Sequence, residues 1–115
     1  MPVTIFHNPA CGTSRSVLQM IRDAGHEPEV VEYLKDGWTK DGLTALFAAA
    51  GLTPREALRT KADLASELGL LDPATPDARI LAAMLDHPIL VERPLVRTEK
   101  GVVLARPKER VLDIL

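Results

Sequence analysis

The sequence predicts a small α/β fold, with a mixed sheet of about four strands and an inserted helical region. Three observations carry this. The N-terminal part reads strand, helix, strand; the C-terminal part reads strand, glycine turn, strand, short helix; and the stretch between them, about 39–87, shows helical periodicity without a strand signal. At 115 residues the chain is expected to form one domain, 1–115, with that stretch as its insert.

Val3-Thr4-Ile5-Phe6 is short and β-prone, and Asn8-Pro9 breaks it. From about Thr13 the period becomes helical, with Val17, Met20, Ile21 and Ala24 on one face and Gly25 closing the run. Glu29 to Leu34 reads as a second strand, so the opening is a β-α-β unit with parallel strands. Thr39 can cap a helix whose apolar face is Leu43, Leu46, Phe47 and Ala50, ended by Gly51. Thr53-Pro54-Arg55-Glu56 has the form of a capping box and predicts a short helix, followed by another around Ala62 to Leu68. Thr75-Pro76-Asp77 starts a helix carrying Ile80, Leu81, Met84 and Leu85, and His87-Pro88 stops it. Leu95 to Thr98 and Val102 to Ala105 flank Glu99-Lys100-Gly101, which predicts a hairpin. Pro107 then opens a short helix with Val111, Leu112, Ile114 and Leu115 apolar.

Composition excludes several function classes. The chain is 46% hydrophobic and 26% charged with a net charge of -2, which fits a globular protein with a real core. Lys/Arg and Asp/Glu are mixed, leaving no stripe for nucleic acid and no polybasic membrane arm. The N-terminus lacks a secretory pattern and no apolar run nears the roughly 20 residues of a membrane helix, so a cytoplasmic protein is expected. His7, His26 and His87 show no metal-ligand spacing, and no metal is expected.

The single cysteine, Cys11, lies in the stretch HNPACGTSR, residues 7–15. One cysteine forbids an internal disulfide, so any redox chemistry here draws its second thiol from another molecule. A lone intracellular cysteine is most often a small buried hydrophobe. Cys11 instead sits in a polar loop where a helix begins, and unpaired N–H groups with a partial charge of roughly half a unit favour a thiolate there. Thr13 and Ser14 hydroxyls, Arg15 and His7 are near enough in sequence to add to that, and the same N–H groups can hold an oxyanion. The arginine falls at C-x3-R rather than the C-x5-R of tyrosine phosphatases, and Ser14 stands where a C-x-x-C oxidoreductase has its second cysteine.

HNPACGTSR followed by a helix resembles the active-site segment of the glutaredoxin-coupled arsenate reductases. The similarity continues through EPEVVEYL, Ala57-Leu58-Arg59-Thr60-Lys61, the run His87 to Pro94 and Ala105-Arg106-Pro107. The resemblance implies a thioredoxin-like fold with an inserted helical region. It makes Cys11 the nucleophile and brings Arg59, Arg93 and Arg106 onto the substrate oxyanion. It makes His7, Asn8, Gly12, Thr13, Ser14, Arg15 and Pro94 the surroundings of the substrate, with His7 and Ser14 tuning the thiolate and Pro94 a cis proline. Arginine suits the task, since it binds tetrahedral oxyanions bidentately and keeps its charge. Arsenate is the implied substrate, glutathione the co-substrate with no bound cofactor, and glutaredoxin the partner of a monomeric enzyme. Ala105 departs from relatives that carry a cysteine before the arginine. Two other readings share the fold: a glutathione-dependent thiol reductase without arsenate specificity, and an RNA polymerase-binding regulator, for which a C-x-x-C switch is missing.

Overall fold

The computed structural model describes all residues, 1–115, which group into two compact units, Met1–Asp36 with Arg93–Leu115, and Gly37–Glu92. The second unit contains the stretch, about 39–87, that the sequence reads as an inserted helical region.

The first unit is built on a four-stranded sheet ordered β2-β1-β3-β4, from β1 (Thr4–Phe6), β2 (Glu29–Val31), β3 (Leu95–Thr98) and β4 (Gly101–Leu104). β1 pairs with β2 in parallel and with β3 antiparallel, and β3 pairs antiparallel with β4. The mixed sheet expected from the sequence is therefore present, in a thioredoxin-like arrangement. Helix α1 (Gly12–Asp23) makes the crossover from β1 to β2. It buries Ser14, Val17 and Ile21, while Ala24, placed on the apolar face by its spacing, is exposed at the C-cap. Val17 and Ile21 pack with Val3, Ile5, Val96, Ala105, Val111 and Ile114 in one apolar cluster.

Three expectations for this unit are corrected. The second strand ends at Val31 rather than Leu34, and Tyr33–Asp36 form a one-turn helix, α2. The reason is the length of β1. His7 N–H donates to Val31 O as the last rung, Asn8-Pro9 then leaves the sheet, and the Glu32 carbonyl turns inward to accept from Lys35 and Asp36. The hairpin turn is Glu99-Lys100 alone. Gly101 is already in β4 opposite Thr98, at φ +141°, and Ala105 lies just past the strand. The last helix is a 3₁₀ segment, Lys108–Ile114. With a period of three, Val111 and Ile114 share the buried face, whereas Leu112, also read as one of the apolar residues of this helix, projects outward at 54% exposure.

The second unit holds α3 (Lys40–Ala50), α4 (Asp63–Glu67), α5 (Asp77–Asp86) and a 3₁₀ turn, Pro88–Leu90. Thr39 caps α3 by accepting from Gly42 N–H, and Gly51 ends it in the left-handed conformation. The capping box at Thr53 and Glu56 forms reciprocally, but the helix predicted after it does not. Backbone groups of 57–59 turn to the segment 90–92 instead: Arg59 N–H donates to Leu90 O, Glu92 N–H donates to Ala57 O, and Leu58 bridges Val91. Arg55, read only as part of the box, ties the loops of the unit by donating to the carbonyls of Leu70, Asp72 and Thr75.

Candidate functional site

The loop from β1 to α1 is pinned at each residue. His7 N–H goes to Val31 O, Asn8 N–H to Ser14 Oγ at 3.1 Å, Ala10 N–H to Asn8 Oδ1 at 3.0 Å, and Cys11 N–H to Asn8 O at 3.0 Å. His7 and Asn8 are buried and Ser14 is fully so. His7 Nδ1 and Ser14 Oγ lie 2.6 Å apart. Burial pulls the His7 pKa below its ordinary value, against the Glu32 carboxylate that raises it and with Arg15 and Arg22 that lower it further. A neutral ring accepting the Ser14 hydroxyl proton at Nδ1 satisfies both groups. His7 and Ser14 thus fix the shape of the loop, and the Ser14 hydroxyl is spent on His7 and Asn8.

Cys11 occupies the N-cap of α1 and is half-buried. Its sulfur closes no cap hydrogen bond of standard geometry. Burial pushes its pKa up, but the Ser14 backbone N–H, the Arg93 guanidinium and Arg106 together pull it below the ordinary thiol value. The sequence pointed to the helix-start N–H groups, to the Thr13 and Ser14 hydroxyls and to Arg15 or His7 for this role, and the Ser14 amide is one of those N–H groups. The structure assigns it to the Ser14 amide and to two distant arginines, while Arg15 donates to Pro9 O at 2.8 Å on the exposed side of the loop.

The sheet topology explains why Arg93 and Arg106 arrive together. Phe6 at the end of β1 faces Leu95 at the start of β3, and Leu95 faces Leu104 at the end of β4. The segments just outside those three strand ends, 7–11, 93–94 and 105–107, share one end of the sheet. The ladder continues one step further, with Ala105 N–H donating to Pro94 O at 3.0 Å. Both Arg93-Pro94 and Arg106-Pro107 are cis; the first was expected and the second was not. Arg106 Nη1 donates to the Arg93 carbonyl at 2.8 Å, and Arg93 is 7% exposed. Two guanidinium groups beside one sulfur of lowered pKa have the chemistry that holding an oxyanion next to a nucleophile requires.

Thr13 and Gly12 open the helix next to the sulfur. A Cβ on Gly12 meets only Arg15 Nη2, at 3.8 Å, so folding does not demand glycine there and the space stays open to a ligand. Arg59 lies in the helical unit, where its Nη1 is 2.7 Å from Glu92 Oε1 with both side chains largely covered. Sequence reasoning did not single out Glu92 or Glu32. Glu92 has a visible signal, an acid directly before the Arg93-Pro94 pair; Glu32 acts on His7 only through the register of β2 against β1, which spacing does not show.

The chain matches the ArsC family over residues 6–114. It is 60% identical over 113 residues to the arsenate reductase ArsI2 of Synechocystis, covering 98% of this chain and 81% of that protein. It is 58% identical to an arsenate reductase of Rhizobium meliloti, covering 100% of this chain and 82% of that one. The solved arsenate reductase of Vibrio cholerae superposes with a TM-score of 0.94 at 39% identity, covering 100% of this chain and 98% of the other. The chain is a member of the ArsC family.

Proposed function

We propose that the chain is an arsenate reductase in which the Cys11 thiolate is the nucleophile and Arg93 and Arg106 hold the substrate oxygens. The observation that carries this reading is a sulfur whose pKa is drawn below the ordinary thiol value by two guanidinium groups at one sheet end. The names of its relatives supply the substrate. Arsenate is tetrahedral and carries negative charge, so it pairs with arginine forks and with the first amides of α1.

The thiolate attacks arsenic, an S–As(V) bond forms, and one oxygen leaves as water after taking up protons. Glutathione, as thiolate, then attacks the Cys11 sulfur. An S–S bond forms, the S–As electron pair stays on arsenic, and As(V) becomes As(III), released as arsenite. Two thiolates have lost two electrons and arsenic has gained them. The resulting mixed disulfide has no second cysteine to resolve it, so an external dithiol protein, glutaredoxin, reduces it by exchange. Glutathione is a co-substrate here and no cofactor stays bound. The enzyme acts as a monomer in the cytoplasm; no helix is long and apolar enough to cross a membrane.

The test is arsenate-dependent NADPH oxidation with glutathione, glutaredoxin and glutathione reductase supplied. Wild type is expected to turn over and Cys11→Ser to be inactive; residual activity of Cys11→Ser within about tenfold of wild type removes Cys11 from the mechanism. Turnover on a mixed disulfide with none on arsenate replaces arsenate as the substrate. Arg59→Ala in the same assay tests the oxyanion contact that the family resemblance gives that residue, with an expected loss of about tenfold or more in kcat/KM.

A further inference from the structure

Beside the sulfur lies a groove of about 320 Å³ lined by Thr13, Arg106, Pro107, Lys108 and Glu109. Thr13 follows Cys11 by two residues in α1, and Arg106 is one of the groups that stabilises its thiolate. The groove therefore adjoins the reacting sulfur and shares a guanidinium with it. Its volume is at the low end of small-molecule sites, roughly 300–1,000 Å³. Its walls are unusual in charge. Lys108 and Glu109 are adjacent, exposed and of opposite sign, and neither is in an ion pair. A neutral thiol gains nothing from that pair, and a simple anion meets Glu109. A small thiol bearing both a carboxylate and an ammonium group satisfies both charges, with Pro107 offering an apolar surface to its middle.

We infer that this groove is the docking site of the second thiol, an amphoteric peptide thiol of glutathione's class, with a carboxylate set against Lys108, the ammonium against Glu109 and its sulfur directed to Cys11. The inference rests on the thiol-dependent reduction proposed above. It assigns the oxyanion to the Arg93 side and the second thiol to the Lys108 side of the same sulfur, with Arg106 between them.

Two measurements test it on the full chain. In the first, S-methylglutathione, which cannot react, is titrated into the protein and followed by amide NMR. Shifts at Thr13, Arg106, Lys108 and Glu109 are expected; no shifts, or shifts confined elsewhere, overturn the groove whether or not the protein reduces arsenate. In the second, glutathione is compared with its diethyl ester, whose carboxylates are capped, as the reductant in arsenate turnover. Wild type is expected to prefer glutathione by about fivefold or more in kcat/KM, the scale of one exposed ion pair, and Lys108→Glu to lose or reverse the preference. An equal preference in wild type and Lys108→Glu overturns the assignment of Lys108. Groove shifts in a protein without arsenate turnover leave this site standing and remove arsenate instead; turnover without groove shifts does the opposite.

Discussion

A thiol becomes a useful nucleophile at neutral pH only when something favours its anion, and at Cys11 three donors do so against the opposing effect of burial. Arg93 is the strongest side-chain contributor, so its removal has a defined signature. Arg93→Ala is expected to move the pH midpoint of Cys11 alkylation by iodoacetamide upward, toward the roughly 8.5 of a free thiol, from a wild-type midpoint below it. An unchanged midpoint removes Arg93 as a stabiliser of the thiolate. Arg106→Ala is expected to lower kcat/KM for arsenate by about tenfold or more, since it lies beside the thiolate and, in the proposed reaction, beside the developing charge. The sequence named Cys11 from its place at a helix start, and the family resemblance named Arg93 and Arg106. The sequence misassigned the local helpers, because Arg15 turns to Pro9 O and the Ser14 hydroxyl to His7 and Asn8, choices that depend on which way a helix face points.

The turn between β1 and α1 carries Cys11, and its rigidity comes from a side chain rather than from a regular ladder. Ser14 Oγ receives the buried Asn8 N–H and meets His7 Nδ1. Ser14→Ala strands both groups in a buried position, and the expected loss is about 1–3 kcal/mol in urea unfolding, with m unchanged. A loss below a few tenths would show that the loop re-pairs these groups. Helices whose caps are local were legible: Thr39 and Gly51 delimit α3 as read, and Pro76 and His87 flank α5 as Thr75-Pro76 and His87-Pro88 foretold. Where the reading failed, a partner distant in sequence had intervened. The Thr53–Glu56 box formed, yet 57–59 gave their backbone groups to 90–92. The second strand stopped at Val31 because its partner β1 left the sheet at Asn8-Pro9.

At the scale of the whole molecule, the cluster under the sheet and the charge on Cys11 set two stability expectations. Ile5 is fully buried at the centre of β1 among Val17, Ile21 and Val96, so Ile5→Ala is expected to cost about 2–5 kcal/mol by denaturant melts. The Cys11 pKa is lower in the folded chain than in the unfolded one, so the thiolate contributes stability that is fully present above the unfolded-state pKa and is lost as pH falls through the folded value. The stability of wild type relative to Cys11→Ser should therefore rise with pH across that window; a flat difference means that the sulfur is not held as an anion. The sequence by itself determined the order of elements, the position of the one thiol at a helix start and its lack of a second cysteine in the chain, because these follow from local periodicity, capping and residue counts, whereas the candidate arginines came from the family resemblance. Only the tertiary structure decided that Arg93 and Arg106 meet that thiol. Their convergence requires the strand order β2-β1-β3-β4 and the antiparallel registers that bring the end of β1, the start of β3 and the end of β4 to one edge, and pairing between strands is a non-local choice that spacing along the chain does not encode.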